Sequence, residues 1–219
     1  MTDCPHAPRT PSSTLLTGQT MRLLPAHPES SVIVPLSGAI HPSGDMVSGE
    51  QARAAVQQAA RVEMIQRLSI PTEASDFFDE VATHMADRTG FLYGMVNLFL
   101  DEQTFIGLHN PPAASGYPAV DRTMSRDHGW CPEVIDRQKA LPLPNVHAYH
   151  RFSSNRVVDA IGIQSYFGAP LIHDGVAVGT VCVIDPEPRP LAEAVRLRDL
   201  VNDTRQTVMK AITAHAPSR

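Results

Sequence analysis

Two thiols and a group of imidazoles carry the most reactive chemistry in this sequence. Cys182 falls on a predicted strand over 176–184. Alternation along that strand puts Val181 and Val183 on one face and Thr180 and Cys182 on the other. Cys131 falls in the first turn of a short helix predicted around 127–137, a position that lowers a thiol pKa. If both elements border one space, the two thiols form a redox pair. The plainer alternative is that both pack as small apolar side chains. His128-x-x-Cys131 is followed, after fifteen intervening residues, by His147-x-x-His150, a nitrogen and sulfur set of the kind that holds zinc or haem. Against it stand the ten histidines of the chain, which make chance pairs expected, and a second pair that sits in a loop.

No other constellation assembles. The chain lacks a Gly-x-Ser-x-Gly elbow, a phosphate loop and a paired-carboxylate cluster. Asp121, Asp127, Glu133 and Asp136 surround the short helix and read as a solvated acidic face. No catalytic residue and no cofactor is therefore assigned.

Composition sets the bounds. The 219 residues are 42% hydrophobic and 19% charged, enough for one packed domain with additional chain. A formal charge of -5 leaves no basic field for nucleic acid or anionic lipid. Three cysteines, Cys4, Cys131 and Cys182, do not make a secreted disulfide framework. The longest apolar run, near 91–100, is far short of the roughly 20 residues that span a bilayer. A cytoplasmic protein is the expectation.

The elements that must position the thiols follow from pattern. Residues 1–48 carry seven prolines among many Ser and Thr and are expected to form a disordered tail. A domain over 49–215 follows. Its first helix has Ala52, Val56, Ala59, Ile65 and Leu68 among its apolar positions, and Pro71 closes it. A second helix has Thr72 as its expected N-cap and ends at Gly90. Residues 91–100 read as a central strand. Leu92, Gly94, Val96, Leu98 and Leu100 make one apolar face, while Phe91, Tyr93, Met95, Asn97 and Phe99 make a mixed one. Helices on the first face and a cavity on the second would produce that asymmetry. A second strand is expected near 103–108, a short one at 141–143, and loop over 145–155. Strands 162–172 and 176–184 are joined by His173-Asp174-Gly175, where Asp-Gly signals a hairpin. A last amphipathic helix follows, expected to pack beside the first one on the sheet.

These residues resemble the GAF domain family, in the manner of bacterial proteins with a single such domain. The resemblance rests on Tyr166-Phe167-Gly168-Ala169-Pro170-Leu171, then Asp174-Gly175, then Gly179 through Asp185, then Pro188-Arg189. Trp130-Cys131 with Val134, and Arg151-Phe152 with Asn155 and Val158, add two further matches in order. There are departures. Asn145 and Tyr149 stand where relatives of this type carry aspartates, the cyclic-nucleotide signature is absent, and no cysteine adjoins a histidine as in bilin-binding members.

The resemblance implies an α+β fold: a GAF/PAS-like antiparallel sheet of five or six strands, N- and C-terminal helices on one face, and a ligand cavity on the other. It implies a non-catalytic small-molecule sensor that signals in trans to a partner protein. Its cavity would be walled by Tyr93, Met95, Trp130, Cys131, Phe152, Tyr166 and Cys182, with Asn97, Asn145 and Asn155 orienting the ligand. A homodimer through the terminal helices is expected. The competing expectations are a redox, metal or haem sensor (or thiol enzyme) using Cys131 and Cys182, with His128, His147 and His150 as further ligands, and a degenerate domain that only scaffolds a complex.

Overall fold

In the computed structural model, the chain divides into two units, Met1–Ser37 and Gly38–Arg219. The structure describes residues 39–40 and 46–214, all in the second unit. Strands β1 (Ala39–Ile40) and β2 (Met46–Val47) pair antiparallel just before the first helix. The rest of the expected tail lies outside the described residues.

Helix α1 (Gly49–Arg67) starts at a capping box. The Gln51 amide donates to the Ser48 hydroxyl, and the Ser48 amide donates to the Gln51 side chain. Helix α2 (Asp76–Thr89) is preceded by Ser75, not by the expected Thr72. It closes on Gly90, whose φ of 73° ends a helix at no steric cost to a residue without Cβ. Strands β3 (Tyr93–Phe99), β4 (Gln103–His109) and β5 (Thr123–Met124) follow. Helix α3 (Cys131–Arg137) and strand β6 (Leu141–Leu143) come next. A short helix, α4 (His150–Ser153), interrupts the stretch expected to be mostly loop, and a second, α5 (Arg156–Ile161), follows it. Strands β7 (Ser165–His173) and β8 (Val176–Asp185) form the expected hairpin, and α6 (Ala194–Ala214) ends the described chain. Asp174 and Gly175 both have positive φ, 46° and 78°, as a two-residue hairpin turn of this hand requires.

The sheet is fully antiparallel, in the order β5-β4-β3-β8-β7-β6. This six-stranded α+β arrangement is the expected fold. β3 and β8 sit at its centre and place Met95 opposite Cys182, and Asn97 opposite Thr180. The two sheet faces bury two separate cores. Val96, Leu98, Val181 and Val183 face α2 and α6. Tyr93, Met95, Phe99 and Cys182 face the layer made by α3, α5 and their loops. From Tyr93 onward the alternation read on the central strand is thus the division between helix face and cavity face; Phe91 and Leu92 precede the strand and pack on the faces opposite to those expected.

The packing of the helices also differs from expectation. The helix beside α6 on the sheet is α2, not α1. α1 joins the core through its C-terminal half, where Met64, Ile65 and Leu68 are buried. An apolar stripe shows that a helix has a buried face but not which neighbour buries it. Among the described residues, no helix is long and apolar enough to cross a membrane.

Candidate functional site

The cavity face of the sheet encloses a space of about 310 Å³, roofed by α3 and α5. Met95, Cys182 and Ile184 form its floor, Trp130 and Cys131 come from the start of α3, and Val157 and Ile161 come from α5. Nearly every contacting group is apolar. A volume at the lower end of the range for ligand sites suits a small molecule.

Five of the ten predicted site residues meet here: Met95, Trp130, Cys131, Tyr166 and Cys182. The other five do different work. The Tyr93 hydroxyl donates to the Pro118 carbonyl at 2.8 Å, pinning the loop before β5. The Phe152 carbonyl accepts from Trp130 Nε1 at 3.2 Å, which fixes the indole as part of the wall. Asn145 is a turn residue, accepting from the His147 amide at 2.9 Å. Asn155 clamps Gly129, donating to its carbonyl at 2.6 Å and accepting from its amide at 3.1 Å. It also caps α5 by accepting from the Val157 amide. Short polar side chains often satisfy nearby backbone in this way, as Asn145 and Asn155 do here.

Asn97 is fully buried and donates to Gln103 Oε1 at 2.9 Å. Gln103, also fully buried, passes the chain on to the carbonyls of Ser125 at 2.8 Å and His128 at 2.7 Å. That relay ties the central strand to the loop that delivers Trp130 and Cys131. Sequence reasoning missed Gln103, and it missed Arg61. The Arg61 guanidinium is buried, donates to the Ala177 carbonyl at 2.7 Å and lies over Phe99. Burial holds its pKa below the ordinary value, with Arg126 adding to the shift and Asp136 opposing it. Nothing in a helical pattern distinguishes such a residue from a solvated one.

The two thiols are in contact. Cys131 Sγ lies 3.6 Å from Cys182 Sγ and 3.4 Å from the Tyr166 hydroxyl, and Cys182 Sγ lies 3.7 Å from Met95 Sδ. A hydrogen bond from Cys182 brings the Cys131 pKa down to about 7 against the opposing effect of burial. Thr180, Tyr166 and Asn97 favour the thiolate further. Thr180 Oγ1 has no hydrogen-bond partner among the described residues, so its proton can turn toward that sulfur. The same contact with Cys131, together with burial, pushes Cys182 well above the usual thiol value. Burial pushes Tyr166 upward, and the neighbouring thiolates add to it.

The alternative metal set of His128, Cys131, His147 and His150 does not assemble among the described residues. Among the described residues, no group of three or more His, Cys, Asp or Glu side chains converges as a metal site. His147 and His150 are exposed, whereas Cys131 is buried beneath Trp130 and Tyr166. The spacing that looked like a ligand set is divided between surface and interior.

The GAF domain family profile matches residues 73–211. No curated protein matches the chain. Among solved structures, the GAF domain of a phosphoenolpyruvate-protein phosphotransferase from Acinetobacter is 16% identical, with a TM-score of 0.50, covering 79% of this chain and 99% of its own. The chromophore-binding domain of a bacteriophytochrome from R. palustris is 15% identical, with a TM-score of 0.50, covering 77% of this chain and 63% of its own. A free methionine-R-sulfoxide reductase from Neisseria meningitidis is 14% identical, with a TM-score of 0.48, covering 75% of this chain and 94% of its own.

Proposed function

The chain belongs to the GAF domain family, whose members are sensor and regulatory domains, and on that premise we propose that it is a non-catalytic small-molecule sensor. The observation that carries this reading is the cavity of about 310 Å³ on the face of the sheet opposite α2 and α6. Its wall draws on β3, β8, α3 and α5 together, so a ligand touching all four shifts the balance between their arrangements. The sheet carries that shift to the helices on its other face, and a separate partner protein reads it. The experiment is occupancy of the cavity followed through the emission of Trp130, the chain's single tryptophan.

The surface also favours pairing of two copies through α1. Val56 on its N-terminal half is 70% exposed, beside the exposed Ala55 and Ala59. Light scattering reads this directly, and a particle of one chain's mass removes it.

The 3.6 Å thiol contact supports a second reading, a sensor of hydroperoxides. The Cys131 thiolate would attack the peroxide oxygen of ROOH, forming a sulfenic acid and releasing ROH after proton uptake. The Cys182 sulfur would then displace the sulfenate oxygen as water, leaving a disulfide. The two thiols lose two electrons and the peroxide gains them. A sulfur reacts as its thiolate, so the reaction quickens as pH rises through about 7, where Cys131 deprotonates, and levels off above it. Intact mass after peroxide treatment should show the loss of two hydrogens in wild type and not in Cys182→Ser. Cys131 and Cys182 both still titratable after peroxide at pH 8, alongside Cys4, would sink this reading.

A further inference from the structure

The apolar cavity has a polar neighbour. A second space of about 190 Å³ is lined by Asp127, His128, Arg151, Ser154, Asn155 and Arg156. His128 and Arg156 line both spaces, so the apolar chamber and the polar one meet at these two side chains.

The charges at this junction are unequally engaged. Arg151 is paired with Glu133 at 2.6 Å and lies over the ring of Phe152. Asp127 lies 3.8 Å from His128 and accepts a hydrogen bond from Ser125. Arg156 makes no hydrogen bond or ion pair among the described residues, and Asp127 acts on it only through longer-range attraction. A guanidinium at the mouth of an apolar chamber, without a carboxylate of its own, is suited to a planar anionic head.

We propose that the ligand is an amphipathic organic anion, a carboxylate with an apolar tail, whose tail fills the chamber under Trp130 and whose head pairs with Arg156. This rests on the cavity being a ligand site and names the class of ligand it takes. The relay from Asn97 through Gln103 to the His128 carbonyl holds the backbone of this junction against the central strand. Asn155, the residue before Arg156, clamps Gly129 beside that segment, so the head meets a fixed corner, as an oriented site needs.

The test compares three molecules with one tail: octanoate, octan-1-ol and octylamine. Each is titrated against the full chain and read as displacement of bromobenzene, whose heavy atom quenches Trp130 from inside the chamber. Octanoate should bind roughly tenfold more tightly than octan-1-ol, with octylamine weakest. Arg156→Leu should bring octanoate down to the affinity of the alcohol and leave the alcohol unchanged, while Arg156→Lys keeps part of the preference. Octan-1-ol binding as well as octanoate, or a preference that survives Arg156→Leu, overturns the ligand class and leaves the cavity reading standing. Saturable bromobenzene quenching that none of the three can displace overturns the class in the same way. Absence of saturable quenching by bromobenzene itself overturns both.

Discussion

Asp185→Ala should cost about 3–5 kcal/mol of stability. Asp185 is 3% exposed at the end of β8. One carboxylate oxygen accepts from the Leu92 amide at 2.9 Å and pairs with Arg189 at 2.8 Å. The other accepts from the Glu187 amide at 2.9 Å. Arg189 in turn lies 4.4 Å over the Phe91 ring and donates to the Gly90 carbonyl at 2.7 Å. The knot joins the end of β8, the start of β3 and the end of α2. Alanine leaves two amides and a mostly buried guanidinium without their shared acceptor, and a buried group stripped of its partner costs its full desolvation. Asp185→Asn keeps the volume and one acceptor, so it should cost about 2 kcal/mol. In thermal denaturation the alanine variant should melt roughly 8–15 °C below wild type. A melting point within a degree or two of wild type would show that the knot does not hold the strands.

Gly107→Ala should cost about 3 kcal/mol or more, because α2 rests on the sheet by backbone contact. A methyl group at Gly107 would fall on the Phe78 carbonyl oxygen, 2.6 Å from its carbon and 2.8 Å from its Cβ. One at Gly94 would fall on the Ala82 carbonyl oxygen and 3.2 Å from its carbon. Backbone in a helix cannot swing aside as a flexible side chain does, so the whole helix must lift. Gly49→Ala is the matched control. It stands at the start of α1 with nothing within 4 Å, so unfolding in urea should find it neutral. Equal midpoints for Gly107→Ala and Gly49→Ala would contradict close packing of α2.

The division of the sheet into a helix face and a cavity face was legible because β3 and β8 are central strands with strict alternation. Val96, Leu98, Val181 and Val183 could only face a dry helical layer. The cavity-facing positions of Met95 and Cys182 followed from the same alternation, and Cys131 was placed beside them by the short helix expected to roof the cavity. The polar part of the site was not legible, for a physical reason. Asn and Asp side chains at a cap and at a ligand site look alike in sequence, and Asn145 and Asn155 turned out to hold backbone. α5 is six residues long, too short to show a 3.6-residue period, so Val157 and Ile161 could not be placed on the roof. Gln103 and Arg61 are buried because of long-range packing. Thr72 was displaced as a helix start by Ser75, since the turn between α1 and α2 is longer than Pro71 alone implies.

The cavity is the centre of the account, and Trp130 reports on it directly. The indole is 2% exposed, lines the chamber and is the chain's only tryptophan. Titration with bromobenzene, followed by Trp130 emission, should give saturable quenching at a stoichiometry of one per chain. Ala160→Phe, which fills the mouth of the chamber from α5, should abolish that quenching while leaving the fold intact by circular dichroism. Quenching that grows linearly without saturation, to the same degree in wild type and in Ala160→Phe, would mean that the chamber admits no ligand and that this domain is not a small-molecule sensor.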